Sequence, residues 1–148
     1  MPERQKVLFL CTGNSCRSQM AEGIARKLYS DKIVIESAGI EKHGMNPYAM
    51  KVMEEIGIDI STHSSKTLDE TGIDFDCVIT VCDHAKESCP EFDHETNIVH
   101  HPFPDPPKLA LDKNTEDEKL DCYRVVRDEI YNTMNKDSFL EIKFRISN

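Results

Sequence analysis

Several features are scarce in this sequence of 148 residues, and each scarcity excludes a class of protein. Apolar runs are short: the run nearest the N-terminus covers residues 7–11, far below the ~20 residues that span a membrane and too short for the core of a signal peptide. Basic residues number 18 against 27 acidic ones, and the resulting net charge of −9 opposes nucleic acid as the main partner. Glycine and proline, at six and seven residues, are too few for a collagen-like chain.

Cysteine is also sparse for a protein held together by disulfides. The six cysteines make up about 4% of the chain, whereas disulfide scaffolds exceed about 8%. Without an export or membrane signal the chain is expected in the cytoplasm, where thiols are kept reduced. The cysteines are therefore expected to serve metal binding or redox chemistry. The length predicts one domain over residues 1–148, and the acidic surface without an evident apolar patch predicts a monomer.

Strand and helix patterns alternate along the chain, which predicts the α/β class. The expected architecture has three layers: a four-stranded parallel sheet flanked by helices. The predicted strands cover residues 7–11, 33–35, 75–81 and 97–100. Helices are predicted for residues 17–29, from Pro47 with Asn46 as its cap and Gly57 as its stop, and from about Glu116 onward.

Two segments are predicted to lie outside this alternation. Residues 101–107 hold four of the seven prolines, a density that predicts a stiff loop and excludes a helix or a central strand. The tail, residues 136–148, alternates apolar and charged side chains over residues 140–146, which is a strand period. An edge strand, a partner-binding segment and a frayed end all fit this tail, and the pattern does not choose between them.

The strongest functional signal lies between the first predicted strand and the first helix, in the sequence Cys11-Thr12-Gly13-Asn14-Ser15-Cys16-Arg17-Ser18. A loop at this junction wraps successive backbone N–H groups around one point, so residues 12–17 are expected to form an anion cradle. Arg17 adds a planar charged fork that matches a tetrahedral oxyanion. The positive potential favours the thiolate of Cys11, which is the candidate nucleophile, and Ser18 is placed to donate a hydrogen bond to it.

Residues 7–23, together with Asp105 in the proline-rich loop, resemble the low-molecular-weight protein tyrosine phosphatase superfamily. The resemblance extends from residue 7 to about residue 130 and implies the low-molecular-weight phosphatase-like fold. It also implies that Cys11 attacks the oxyanion, that Arg17 binds it, and that Asp105 is the general acid.

Two further cysteines separate the branches of this superfamily. Cys82 and Cys89 follow the third predicted strand, and in a helix they would lie about 10 Å apart along the axis, too far for a disulfide. This segment resembles that of the thioredoxin-coupled arsenate reductases of the same fold. The resemblance implies a relay in which Cys11 attacks arsenate, Cys82 attacks Cys11 as arsenite leaves, and Cys89 then pairs with Cys82 as the helix loops out. Thioredoxin would supply the electrons, with no cofactor bound.

Other interpretations use some of the same residues. A phosphotyrosine phosphatase needs only Cys11, Arg17 and Asp105, although Pro107 stands where such enzymes carry an aromatic residue. A small thiol could resolve the arsenylated enzyme, and an oxyanion sensor would bind without turnover. A zinc site would draw on Cys82, His84, Cys89 and His100 or His101, whose spacing lacks the close ligand pairs of structural zinc sites.

The remaining cysteines are expected to have packing roles. Cys77 lies within a predicted strand and Cys122 within a predicted helix, where free cysteine behaves as a small apolar residue. Cys16 lies inside the predicted cradle, where it is expected to be a packing residue or a site of off-pathway oxidation.

Some of these reductases resemble one another in binding a monovalent cation beside the anion loop, through an Asn, a Glu, a Ser and a later acidic residue. Asn14, Glu22 and Ser37 match the first three. Lys66 stands where the acidic residue would be, so its ammonium group is expected to replace the cation. The sequence therefore predicts no bound metal and an activity independent of potassium.

Overall fold

A computed structural model of the chain describes residues 5–72, 74–87, 89, 91–92 and 95–136. Its four strands are β1 (Gln5–Cys11), β2 (Ile33–Gly39), β3 (Cys77–Thr80) and β4 (Asn97–His100). The helices are α1 (Arg17–Tyr29), α2 (Pro47–Glu54), α3 (Leu68–Thr71), α4 (Asp83–Glu87), α5 (Pro106–Leu109) and α6 (Glu116–Met134), with a 3₁₀ turn at Ala110–Asp112. The predicted tail lies outside the described residues, apart from residue 136, so the interpretations of it stay predictions.

The four strands form one parallel sheet in the order β2-β1-β3-β4. The predicted α/β class and four-stranded parallel sheet flanked by helices are confirmed. Strand β1 lies inside the sheet, and its residues Val7, Leu8, Phe9 and Leu10 are at most 1% exposed, as expected for a parallel strand covered on both faces. The carboxyl ends of β1, β3 and β4 therefore meet at one edge of the sheet, which is where parallel α/β proteins place their sites.

The predicted start and stop of α2 are confirmed. The Asn46 side chain accepts hydrogen bonds from the N–H groups of Tyr48 (2.9 Å) and Ala49 (3.2 Å), as an N-cap does. Pro47 occupies the first helical position, where its missing N–H has no helical partner. Gly57, beyond the helix end, has φ of +77°, a conformation that favours glycine.

Strand β2 is longer than the prediction for residues 33–35. Ser37, Ala38 and Gly39 were expected to end the strand, but they pair in register with β1 up to the partners Cys11 and Gly39. The neighbouring strand thus overrides a local turn signal. Strand β3 is shorter than predicted, because only residues 77–80 pair with β1 and β4.

The prediction that residues 101–107 contain no helix is wrong. Helix α5 begins at Pro106 and includes Pro107, so two of the prolines occupy its first turn. The first N–H groups of a helix have no intrahelical acceptor, and a proline there loses no hydrogen bond. Asp105 takes the N-cap position of this helix without a side-chain capping bond. No helix within the described residues is long and apolar enough to cross a membrane.

Candidate active site

Residues 11–16, which we call the anion loop, lead from the end of β1 to the start of α1. The backbone carbonyl group of each of these residues accepts a hydrogen bond from outside the loop. The donors are the N–H groups of Ile40, Glu41, His43, Asn46 and Met20, at 2.9–3.1 Å, and the side-chain amide of Gln19, at 3.3 Å. Every peptide bond here is trans, so each N–H points opposite to the carbonyl of its own peptide unit. The N–H groups of residues 12–17 are thereby turned toward the inside of the loop, the arrangement that an anion cradle requires.

The anion loop is held in a tight conformation by Asn14 and Gly39. Asn14 has φ of +48°, and among the described residues no other non-glycine residue has positive φ. Gly39 lies so close behind the loop that an added Cβ would be 2.7 Å from the Asn14 nitrogen and 2.8 Å from the Thr12 carbonyl oxygen. A side chain at position 39 would therefore collide with the loop backbone.

The thiol of Cys11 lies at the end of β1, beside the first turn of α1. Its Sγ atom is 2.9 Å from the Oγ atom of Ser18, and both residues are buried. A hydroxyl at this distance can donate to a thiolate, which stabilises the charged form of a nucleophile. The structure thus brings together the pair that the sequence analysis singled out.

Arg17 and Asp105 come from distant parts of the chain and meet beside the anion loop. The Nη1 atom of Arg17 donates to the carbonyl oxygen of Phe103 at 3.0 Å, and its Nη2 atom lies 3.8 Å from Oδ2 of Asp105. The Asp105 side chain is 41% exposed and does not cap α5. Its carboxyl group therefore lies, partly exposed, beside the guanidinium group that is expected to bind the oxyanion.

Cys82 is placed against the anion loop by the pairing of β1 with β3. Leu10 is in register with Thr80, and the N–H of Val81 donates to the carbonyl of Leu10 at 2.9 Å. The Cys82 Sγ atom then lies 3.3 Å from Oγ1 of Thr12, the residue that follows Cys11. The Cys82 thiol thus contacts the loop that holds Cys11.

Cys89 lies just beyond α4 and packs, half-buried, against the hydrophobic core. Burial raises the pKa of its thiol. Helix α4 covers residues 83–87, so the described residues between the two thiols are helical. All six cysteines are free thiols.

The three cysteines assigned to packing are buried. Burial strongly raises the pKa of Cys16, with the Cys11 and Asp105 charges adding to the effect and Arg17 opposing it. Burial, with a smaller contribution from Asp76, raises the pKa of Cys77 to about 12. Cys122 donates to the carbonyl of Glu118 within α6. High pKa values disfavour the thiolates that redox chemistry needs.

Two of the side chains weighed for zinc, those of His100 and Cys82, have other partners. His100 bonds Thr80 through Nδ1 (2.8 Å) and Asp83 through Nε2 (3.1 Å), while the Ala85 N–H donates to Cys82 Sγ at 3.4 Å. In the described ranges, no group of three or more His, Cys, Asp and Glu side chains could hold a metal ion.

The residues compared with a cation site lie together behind the anion loop. Asn14 Nδ2 donates to Ser37 Oγ at 2.9 Å, and Ser37 donates to the buried carboxylate of Glu22. Lys66 Nζ lies 4.0 Å from Glu22 Oε1, and Arg26 donates to Oε2 of the same carboxylate at 2.9 Å. Two cationic side chains thus already approach this carboxylate.

We expect potassium to leave turnover unchanged, because the Lys66 ammonium supplies a positive charge beside Glu22. The measurement compares the rate of the arsenate reduction that the resemblance implies, in potassium chloride and in choline chloride at equal ionic strength. A Lys66→Asp variant, which restores an acidic side chain, should become dependent on potassium. A large rise in wild-type turnover on adding potassium would show that Lys66 does not replace the cation.

Apart from Lys66, the residues that support the anion loop from behind were missed by sequence reasoning. Residues 63–66, the support segment, each bond the loop or Gln19. Ser65 Oγ donates to the Gly13 carbonyl at 2.9 Å, and the Lys66 N–H donates to Asn14 Oδ1 at 2.8 Å. One available signal was Gln19, a polar side chain beside the apolar stripe of α1, and it is fully buried.

Comparison with known proteins places this site in a family. The model of the low molecular weight phosphotyrosine protein phosphatase family matches residues 6–136. The arsenate reductase of Halalkalibacterium halodurans is 48% identical over 86% of this chain and 90% of its own length. That of Bacillus subtilis is 44% identical over 90% of this chain and 95% of its own.

A solved structure described as an arsenate reductase in the oxidized state superposes with a TM-score of 0.75 at 31% identity, covering 97% of this chain and 99% of its own. The fold, the anion loop and the relatives all indicate the same family. The chain belongs to the low molecular weight phosphotyrosine protein phosphatase family, alongside the arsenate reductases that match it over most of their length.

Proposed function

We propose that the protein is an arsenate reductase that works by a relay of three thiols and is regenerated by thioredoxin. The observation that carries this proposal is the 3.3 Å contact between Thr12 Oγ1 and Cys82 Sγ. A phosphatase needs one thiol at the anion loop, whereas a reductase that stores two electrons as a disulfide needs a second thiol beside it. The relatives named arsenate reductase support the same substrate.

The first step is attack of the Cys11 thiolate on the arsenic of arsenate. The N–H groups of the anion loop and the Arg17 guanidinium bind the oxyanion and stabilise its charge. Asp105 donates a proton to the departing oxygen, which leaves as water. The product is an arsenic(V) centre bound to the Cys11 sulfur.

The second step transfers two electrons to arsenic. The Cys82 thiolate attacks the Cys11 sulfur, an S–S bond forms, and the sulfur–arsenic bond breaks with its electron pair moving to arsenic. Arsenic(V) becomes arsenic(III) and leaves as arsenite, while the two thiols are oxidised to the Cys11–Cys82 disulfide. Phosphorus cannot readily accept this electron pair, so a phosphate ester would not follow the route.

The third step frees the active site for another turnover. The Cys89 thiolate attacks Cys82, which releases Cys11 as a thiolate and leaves a Cys82–Cys89 disulfide. Since α4 lies between these thiols, their pairing requires that residues 83–87 leave the helical conformation. Thioredoxin then reduces this disulfide. The proposed compartment is the cytoplasm, where free thiols such as the six in this chain are kept reduced.

The test is a coupled assay with arsenate, thioredoxin, thioredoxin reductase and NADPH. We expect one arsenite released for each NADPH oxidised, and no turnover when thioredoxin is left out or when Cys11→Ser replaces the wild type. Hydrolysis of para-nitrophenyl phosphate without arsenite formation would instead support the phosphatase that Cys11, Arg17 and Asp105 could form. Arsenate binding without either product would support an oxyanion sensor.

A further inference from the structure

We propose that His100 is a positioning residue for Cys82, because its imidazole ring holds both ends of the turn that carries this thiol. One ring nitrogen bonds Thr80, two residues before Cys82, and the other bonds Asp83, the residue after it. The distances are 2.8 Å from Nδ1 to Thr80 Oγ1 and 3.1 Å from Nε2 to Asp83 Oδ1. We call these three bonded side chains, Thr80, His100 and Asp83, the brace. The inference rests on the proposed attack of Cys82 on Cys11.

The brace is anchored in the sheet. His100 is the last residue of β4 and is in register with Thr80, the last residue of β3. Thr80 is 1% exposed, and the His100 side chain is 22% exposed, so both lie mostly within the protein. Asp83 is the first residue of α4. The ring therefore ties the start of this short helix to two strands of the sheet.

The turn within the brace directs the Cys82 thiol toward the anion loop. The N–H of Val81 donates to the Leu10 carbonyl at 2.9 Å, so the backbone is fixed up to the residue before the thiol. The Cys82 sulfur lies 3.3 Å from Thr12 Oγ1. Its position depends on the direction that the backbone takes at residues 82 and 83, and the bond from His100 to Asp83 fixes that direction.

The hydrogen bonds of the brace do not depend on whether the imidazole ring is charged. A carboxylate only accepts, so Nε2 of His100 carries a hydrogen toward Asp83. The Thr80 hydroxyl can donate to Nδ1 of a neutral ring and can accept from Nδ1 of a charged ring. Both bonds are therefore available in either protonation state of the ring.

The brace favours the second step of the relay and opposes the third. In the second step the Cys82 sulfur must approach the Cys11 sulfur, and a turn that is already fixed loses less freedom on reaching that geometry. In the third step residues 83–87 must leave the helical conformation, and the bond from Asp83 to His100 resists this change. Losing the brace should thus slow the first disulfide and speed the second.

The experiment forms the Cys11–Cys82 disulfide with diamide, a thiol oxidant, in a Cys89→Ser background, and follows it by rapid quenching and mass spectrometry. We expect Asp83→Ala to slow this closure about threefold, because the Asp83 side chain is 82% exposed and such surface pairs are weak. His100→Leu removes both bonds of the brace and should slow closure about tenfold.

Two control variants separate positioning from general damage. Asp83→Asn keeps an oxygen that accepts from Nε2 of His100, so its closure rate should stay near that of the background. Thr96→Val removes a 2.7 Å bond to the Phe75 carbonyl, at the residue before β4, and should also close at the background rate. Alkylation of Cys11 by iodoacetamide should be equal in all variants, because the bonds of the brace lie outside the anion loop.

The third step gives a signature that a merely destabilising change does not produce. With Cys89 present, Asp83→Ala should convert the Cys11–Cys82 disulfide into the Cys82–Cys89 disulfide about threefold faster than the wild type. A slower closure followed by a faster exchange identifies the brace, whereas an unchanged or slower exchange would overturn the proposal.

Other outcomes would also contradict the brace. Equal closure rates in the background, Asp83→Ala and His100→Leu would overturn it, as would equal slowing by Asp83→Asn and Asp83→Ala. Closure by diamide requires no arsenate, so its result stands apart from the proposed function. A wild type that releases no arsenite but closes more slowly without Asp83 would refute the reductase and support the brace.

Discussion

The Cys89→Ser variant is expected to release one arsenite per protein molecule and then stop, whereas Cys82→Ser is expected to release none. Without Cys89, the second step can still occur, but no other thiol of the relay can attack the Cys11–Cys82 disulfide that it forms. Without Cys82, no thiol attacks Cys11, so the arsenic stays bound to its sulfur. Both variants should lose at least about 10³-fold in steady-state turnover, as expected when a nucleophile is removed.

Rapid quenching with arsenite quantification distinguishes the two variants in the first turnover. Mass spectrometry of the quenched protein should find a Cys11–Cys82 disulfide in Cys89→Ser. Cys122→Ser is the matched control, because a serine hydroxyl can keep the hydrogen bond to the Glu118 carbonyl. Sustained turnover by Cys82→Ser would refute the relay, and sustained turnover by Cys89→Ser would indicate that a small thiol resolves the first disulfide.

The Gly39→Ala variant is expected to reduce arsenate about 100-fold more slowly than the wild type, although no side chain that contacts the oxyanion is changed. The added methyl group would lie 2.2 Å from the Glu41 carbonyl oxygen and 2.7 Å from the Asn14 nitrogen. Both are backbone atoms, so the anion loop itself must move. A displacement of about 1 Å at reacting groups costs about 10²-fold in rate, and overpacking costs about 1–3 kcal/mol of stability.

Gly57→Ala provides the control for this prediction. Position 57 has φ of +77° with open space around its Cβ position, so alanine there costs about 1–2 kcal/mol of backbone strain without touching the loop. Thermal unfolding and arsenate reduction should be measured for both variants. If Gly39→Ala reduces arsenate as fast as Gly57→Ala, the close approach of Gly39 does not shape the anion loop.

The sequence predicts the parts of this molecule whose signals are local. The buried run of β1, the apolar stripe of α1 and the cap of α2 each depend on neighbours a few residues away. Two local signals were misleading: Ser37-Ala38-Gly39 looks like a turn but pairs with β1, and Pro106 looks like a helix breaker but begins α5. In both places the position in the fold outweighs the local preference.

In the candidate site, too, the residues with a local sequence signal could be predicted and the others could not. Cys11, Arg17 and Ser18 could be named from one short stretch of sequence, and the resemblance to a family led to Asp105, Cys82 and Cys89. The supports of the loop could not be predicted, because Gln19 and His63 lie 44 residues apart and neither belongs to a recognisable motif. The close approach of Gly39 to the loop could not be predicted either, because it depends on how two backbone segments pack in the folded protein.

The outward-facing carbonyls of the anion loop also determine when the site can form. Their partners include Asn46 and Ser65, so the loop, although near the N-terminus, is completed by chain that follows it by tens of residues. Contacts between distant residues form late, since the entropy of closing the intervening chain opposes them. During synthesis, Cys11 therefore leaves the ribosome as an ordinary thiol and gains its anion-binding surroundings only after the support segment has been made and has docked.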